Sequence, residues 1–155
     1  MTDTKITATE MAQYIDHTLL KPDATLDALA QLGAEAISYG FKAVCVNSGN
    51  VAYIAGKLQG SNVAVCTVVG FPLGAMQTRA KAFEAENAVA EGAAELDMVL
   101  NIGALKSGEL KTVEADIQAV RKAAESPIVL KVIIETGLLT PEEKIIACEI
   151  TKNAG

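Results

Sequence analysis

The sequence predicts an α/β chain built on a parallel sheet, and three observations predict it. Apolar runs of strand length alternate with helical stretches at roughly thirty residues per unit, the spacing of βαβ units. The strand runs are near-continuously apolar, as in NVAVCTVV (62–69), which suits a parallel sheet covered on both sides. No linker, low-complexity stretch or internal repeat divides the 155 residues, so a single domain, 1–155, is expected.

Each element has its own signal. Thr7 followed by Glu10 reads as a capping box opening a short helix to about Tyr14. Asp16 to Leu20 is a candidate short strand, ended by Pro22. Thr25 then caps a helix with Leu26, Leu29, Gly33, Ala36 and Ile37 on one face, ending near Gly40. Lys42 to Val46 is a strand and Asn50 to Leu58 a helix stopping before Gly60. After the strand 62–69, Ala75 to Glu91 is helical, with Met76, Ala80, Phe83 and Ala90 as its stripe and Gly92 as its terminator. Leu96 to Asn101 is a strand. Leu110, Val113, Ile117, Val120 and Ala124 step by three and four, the clearest helical pattern in the chain. Pro127 breaks it, Ile128 to Glu135 is another strand, and Thr140-Pro141 starts a last helix. This spacing leaves open whether the sheet closes into a barrel or stays open as in flavodoxin-like folds.

Composition narrows the function classes. Half of the residues are apolar but only 4% are aromatic, so Val, Ile, Leu and Ala must build the core. A net charge of −6 argues against nucleic acid or an anionic membrane as the main partner, because both require clustered cations. A few local cations still suffice for a small anionic substrate. The three cysteines (Cys45, Cys66 and Cys148) form no C-x-x-C pair, and free thiols in a reducing cytoplasm are the simplest reading. MTDTKITATEMAQ lacks the apolar core of a signal peptide, and no apolar run reaches bilayer-spanning length. The expectation is a cytoplasmic protein.

Strand periodicity picks out the chemistry. In LDMVLN, Asp97, Val99 and Asn101 share a face, and in IVLKVIIE so do Val129, Lys131, Ile133 and Glu135. The opposite face is wholly apolar. Mid-strand charges must be paired, neutralised or solvated in a cavity. A structural Lys–Asp pair and a polar pocket at a barrel centre both meet that requirement.

Asp16-His17-Thr18 is a second candidate, holding the only histidine. A lone His near the start of a chain is more often structural than catalytic, while Asp16 and Thr18 could line the same pocket as Asp97. The loop Gly70-Phe71-Pro72-Leu73-Gly74 suits a ligand at a strand's carboxyl end, though an ordinary tight turn explains it as well. Cys45 and Cys66 read as small buried apolar residues. No His, Cys or Asp cluster has metal-ligand spacing along the chain, so no metal site is expected.

Five motifs in series are specific: IDHTLLKPDAT (15–25), VCVN (44–47), CTVVGFPLG (66–74), ELDMVLNIGALKSGE (95–109) and LKVIIETGLLT (130–140). Over nearly the whole chain they resemble the deoxyribose-phosphate aldolase family. The resemblance implies parallel (βα) units of a TIM barrel, truncated here to about five of eight strands. It implies reversible cleavage of 2-deoxyribose 5-phosphate to acetaldehyde and glyceraldehyde 3-phosphate through a lysine Schiff base, with no metal or organic cofactor. By the same resemblance Asp97 is the proton-relay aspartate, and Asp16, Thr18, Cys45 and Lys131 line the pocket.

Position alone would name Lys131 the Schiff-base lysine. The family pattern instead sets that lysine on a following strand, in a stretch like A-D-F-V-K-T-S-T-G after a helix ending in A-G. The sequence given ends Lys152-Asn153-Ala154-Gly155. The expectation is therefore a chain without the Schiff-base lysine or the phosphate-binding loops, and inactive alone. The alternatives are a noncatalytic self-associating scaffold, or a weak aldolase using Lys131. Its open strand edges and exposed apolar interior should be repaired by forming a homodimer or higher oligomer, by swapping elements, or by flattening into an open flavodoxin-like sheet.

Overall fold

Local signals place the helices in the computed structural model, which describes residues 6–155. The Thr7 hydroxyl accepts from the Glu10 N–H while the Glu10 carboxylate accepts from the Thr7 N–H, and helix α1 (Ala8–Ala12) follows. Thr25 caps α2 (Leu26–Tyr39), and Gly40, at φ 66°, ends it. A 3₁₀ turn, Ser48–Asn50, leads into α3 (Val51–Leu58), and α4 (Thr78–Ala90) comes next. A short α5 (Ile102–Lys106) was not expected; the Asn101 side chain starts it by accepting from the Ala104 N–H. Helix α6 (Leu110–Ala123) buries Val113, Ile117 and Val120, and α7 (Pro141–Asn153) opens on a second capping box, Thr140 with Glu143. No helix among the described residues is long and apolar enough to cross a membrane.

Two helical faces differ from expectation. In α2 the buried residues are Leu29, Leu32, Gly33 and Ala36, while Leu26 and Ile37 stand exposed. Helix α4 starts at Thr78 rather than Ala75 and buries Lys81, Ala85 and Ala88, leaving Met76, Phe83 and Ala90 exposed. The reason is a partner: the Lys81 ammonium meets Asp116 of α6, so a charged residue sits where apolar periodicity predicts none.

Among the described residues five strands, β1 (Asp16–Leu19), β2 (Ala43–Val46), β3 (Ala64–Val69), β4 (Glu95–Val99) and β5 (Val129–Ile133), form one parallel sheet in the order β1-β2-β3-β4-β5. A flavodoxin-like sheet reverses its strand order partway. This one does not, so that alternative is set aside. Crossovers between neighbouring parallel strands are right-handed as a rule, and a series of them in one direction across a sheet places successive helices on the same side. Val44, Val46, Val69, Leu96 and Met98 pack there with Leu29, Ile54, Ala88, Ile117 and Val120. The inner face holds Ala43, Cys45, Cys66 and Val68, flanked by Leu20 and Ala64, and no helical residue packs in that cluster. Coverage by helices is one-sided, contrary to the two-sided expectation.

The sheet curls strongly. Lys131 on β5 reaches Asp16 on β1 at 2.6 Å, although those strands are opposite edges. Four flat inter-strand steps would separate them by about 19 Å, beyond the reach of the two side chains. The strands form an arc whose edges are not hydrogen-bonded to one another, so the sheet is not closed. Curling also buries Ala43, Cys45, Cys66 and Val68, which corrects the expectation of an exposed apolar interior.

Candidate active site

The period of two along each strand, combined with parallel register, sets the inner face. Thr18, Cys45, Cys66, Glu95 and Val129 form one row across it, and Val68, Asp97 and Lys131 form the next. Lys131 is the hub. Its Nζ lies 2.6 Å from Asp16 Oδ2, 3.0 Å from Asp97 Oδ1, 3.1 Å from Glu95 Oε2 and 3.9 Å from Cys66 Sγ. The Asp16 contact is a hydrogen bond. Asp97 Oδ1 is within ion-pair range, is buried, and accepts no aligned hydrogen bond.

These contacts decide the charge of the lysine. Burial by itself pulls the ammonium downward, but the hydrogen bond to Asp16 and the charge of Asp97 outweigh it and hold Lys131 above its ordinary value. A neutral amine at this position would leave three carboxylates without their shared cation. The adjacent Cys45 thiol, and then burial, push the Cys66 thiol up as well.

The structure thus brings Asp16, Cys45, Asp97 and Lys131 to one face. Thr18 shares that face but is exposed, with its hydroxyl donating to the Asp16 carbonyl oxygen at 2.7 Å. His17 points the other way, its Nε2 2.8 Å from Glu35 and its ring against Phe41, so it braces β1 against α2. Glu135 does not join Lys131; it lies past the end of β5 with φ 53° and is exposed. In its place stands Glu95, missed because the strand was expected to begin one residue later. Its position two residues before Asp97 was the available signal.

The loop after β3 is built by its glycines. Gly70 (φ 66°) packs on the Lys81 stem, where a Cβ would come 2.9 Å from Lys81 Cε, and its N–H donates to Glu84. At Gly74 (φ 65°) a Cβ would meet the Leu100 carbonyl oxygen at 2.0 Å. Lys81 is fully buried and donates to the Val99 carbonyl oxygen, two residues beyond Asp97, and to Asp116. A cleft of about 480 Å³, lined by Pro72, Leu73, Ile102, Glu135, Gly137 and Leu138, lies among the loops at the carboxyl ends of β3, β4 and β5. Such loops hold the ligand sites of parallel (βα) folds. The cleft does not itself include Asp97 or Lys131.

Chemically, the inner face offers carboxylates to move protons and a fixed cation to hold an oxyanion or order those carboxylates. The family profile described as DeoC/LacD family aldolase matches residues 10–148. A deoxyribose-phosphate aldolase of Brevibacillus brevis is 57% identical over 145 residues, covering 94% of this chain and 65% of that protein. One from Staphylococcus carnosus is 58% identical over 146 residues, covering 94% of this chain and 66% of that protein. The tetrameric deoxyribose phosphate aldolase structure from Aeropyrum pernix superposes with a TM-score of 0.88 at 31% identity, covering 96% of this chain and 62% of that one. The chain thus spans about two thirds of the length of these relatives.

Proposed function

We propose that this chain, which belongs to the DeoC/LacD family of aldolases, supplies the proton-handling part of a deoxyribose-phosphate aldolase site. The reaction is reversible cleavage of 2-deoxyribose 5-phosphate to acetaldehyde and glyceraldehyde 3-phosphate, through a lysine iminium that draws electrons from the breaking carbon–carbon bond. Asp97, aided by water, takes and returns the proton at the carbon next to the iminium. Asp16, Thr18, Cys45 and Lys131 line the pocket.

The observation that carries this reading is the set of three carboxylates, Asp16, Glu95 and Asp97, gathered around Lys131 Nζ. An amine must be neutral to attack a carbonyl, and its neighbours keep this one charged. That supports Lys131 as a positioning cation and the family's iminium-forming lysine as a separate residue on a further strand. The 155 residues by themselves are then inactive. The unpaired β5 edge supports self-association into a homodimer or higher oligomer, and the three free cysteines support a reducing, cytoplasmic setting.

The test is intact mass after incubation with acetaldehyde and borohydride, beside a full-length relative. The expected result is labelling of the relative and none on this chain above exposed-lysine background. A stable ethyl adduct mapped to Lys131 and lost in Lys131→Met would overturn the assignment. It would favour a weak aldolase that uses Lys131 directly.

A further inference from the structure

Three adjacent strands bring Cys45, Cys66 and Asp97 together. One ligand atom from each lies within 4.8 Å of the other two. These residues are 21 and 31 positions apart in order, so no local spacing announces them. Both thiols are buried, at 3% and 0% exposure, and face the same inner cluster. Asp97 Oδ1 is also buried and accepts no hydrogen bond. The chain sets a positive charge of its own beside them: Lys131 Nζ lies 3.0 Å from Asp97 and 3.9 Å from Cys66.

We propose that this face is a site for one thiophilic divalent cation, Zn²⁺ or Cd²⁺, held by Cys45 Sγ, Cys66 Sγ and a carboxylate oxygen of Asp97, with Lys131 as the built-in competitor. Two sulfurs and one oxygen fill three tetrahedral positions and leave the fourth for water. A metal–sulfur bond of about 2.3 Å implies a sulfur–sulfur edge of about 3.8 Å, so the side chains need to close by at most about 1 Å. Each thiol loses its proton to solvent as its sulfur bonds the metal, and nothing is oxidised or reduced. Two protons leave as a dication enters, so the charge of the pocket is unchanged. The displaced ammonium keeps Asp16 and Glu95, which already hold it at 2.6 and 3.1 Å.

A second triad, Asp16, Cys66 and Glu95, shares one thiol with the first. Its two carboxylates make it the harder donor set, so it suits a different cation. A metal on the first triad would occupy Asp97. If Asp97 is the proton relay proposed above, the cation is an inhibitor; the binding test below does not depend on that reading.

The experiment uses the chain carrying Cys148→Ser, which removes the exposed thiol. Cd²⁺ is titrated while the thiolate-to-cadmium charge-transfer band is read in the ultraviolet, and Zn²⁺ affinity is measured against a chromophoric chelator. The expected result is one cation per folded chain with the band present. Cys45→Ser, Cys66→Ser and Asp97→Asn should each weaken binding by about tenfold or more, and Lys131→Met should tighten it by about tenfold. Circular dichroism checks folding; should Cys66→Ser fail to fold, Cys45→Ser and Lys131→Met decide. Absence of the band in folded protein, binding that survives Cys45→Ser, or binding lost in Glu95→Gln but kept in Asp97→Asn would each overturn the proposal.

Discussion

Lys131 and Lys81 are both lysines inside the molecule, and their neighbours give them different work. Lys131 is 39% exposed and shared among carboxylates of β1 and β4, in a pocket that solvent reaches. Its folded value is raised, so its contribution to stability is complete below the ordinary lysine value of about 10.4 and declines as pH climbs above it. Denaturant midpoints of the native chain and Lys131→Met, followed from neutral pH into the alkaline range, should therefore converge. A gap that stays constant would show that Lys131 is not stabilised as an ammonium. Lys81 is fully buried with one carboxylate partner, and Asp116 Oδ1 has no hydrogen bond of its own. Lys81→Met leaves Asp116 as an uncompensated buried charge and should cost about 3–5 kcal/mol in urea unfolding. Adding Asp116→Leu should recover much of that loss, since the second change removes the stranded charge.

At the scale of elements, helix starts and the β3–α4 loop carry the sharpest expectations. In α7 the Glu143 carboxyl is held below the usual range by the Thr140 N–H and then by Lys106. A lowered value means that stability is present above the ordinary carboxylate range and lost as pH falls through the folded value. Acid titration by circular dichroism should thus show a loss of helix below the ordinary carboxylate range that Glu143→Gln, already lacking the charge, does not repeat. In the loop, Gly74→Ala should destabilise the chain far more than an exposed-loop substitution. Its Cβ would meet backbone, not a side chain that can turn away, and the residue sits at positive φ. Gly108→Ala shares the positive φ but has open space around it, so comparing the two in urea separates the clash from the backbone strain.

For the whole molecule, the curled arc buries its inner cluster but, among the described residues, leaves β1 and β5 each with one unpaired edge. Val129 on β5 is exposed, which adds apolar surface to that edge. We expect light scattering to show a mass above that of one chain, rising with concentration and reduced by Val129→Lys, because edge charges oppose strand pairing. A clean monomer at all concentrations would remove the support for self-association.

Much of this was legible in the sequence, and much was not. The order of the strands and helices, apart from short α5, follows from local signals: capping pairs at Thr7 and Thr140, terminal glycines, and strand runs between them. Alternation along β4 and β5 likewise put Asp97 and Lys131 on one face, because side-chain direction in a strand depends only on parity. Parity also pointed to Glu95, but a boundary one residue too late hid it. The helical faces of α2 and α4 were less legible, since burial depends on what lies opposite; Lys81 is buried only because Asp116 arrives from α6. Tertiary structure alone decided the curl of the sheet and, with it, the meeting of Asp16 and Lys131 across 115 residues. The charge of Lys131 and the grouping of two thiols with Asp97 follow from that curl and the strand order. Local pattern is set by bonds to near neighbours along the chain, whereas ionisation and ligand grouping are set by distances through space.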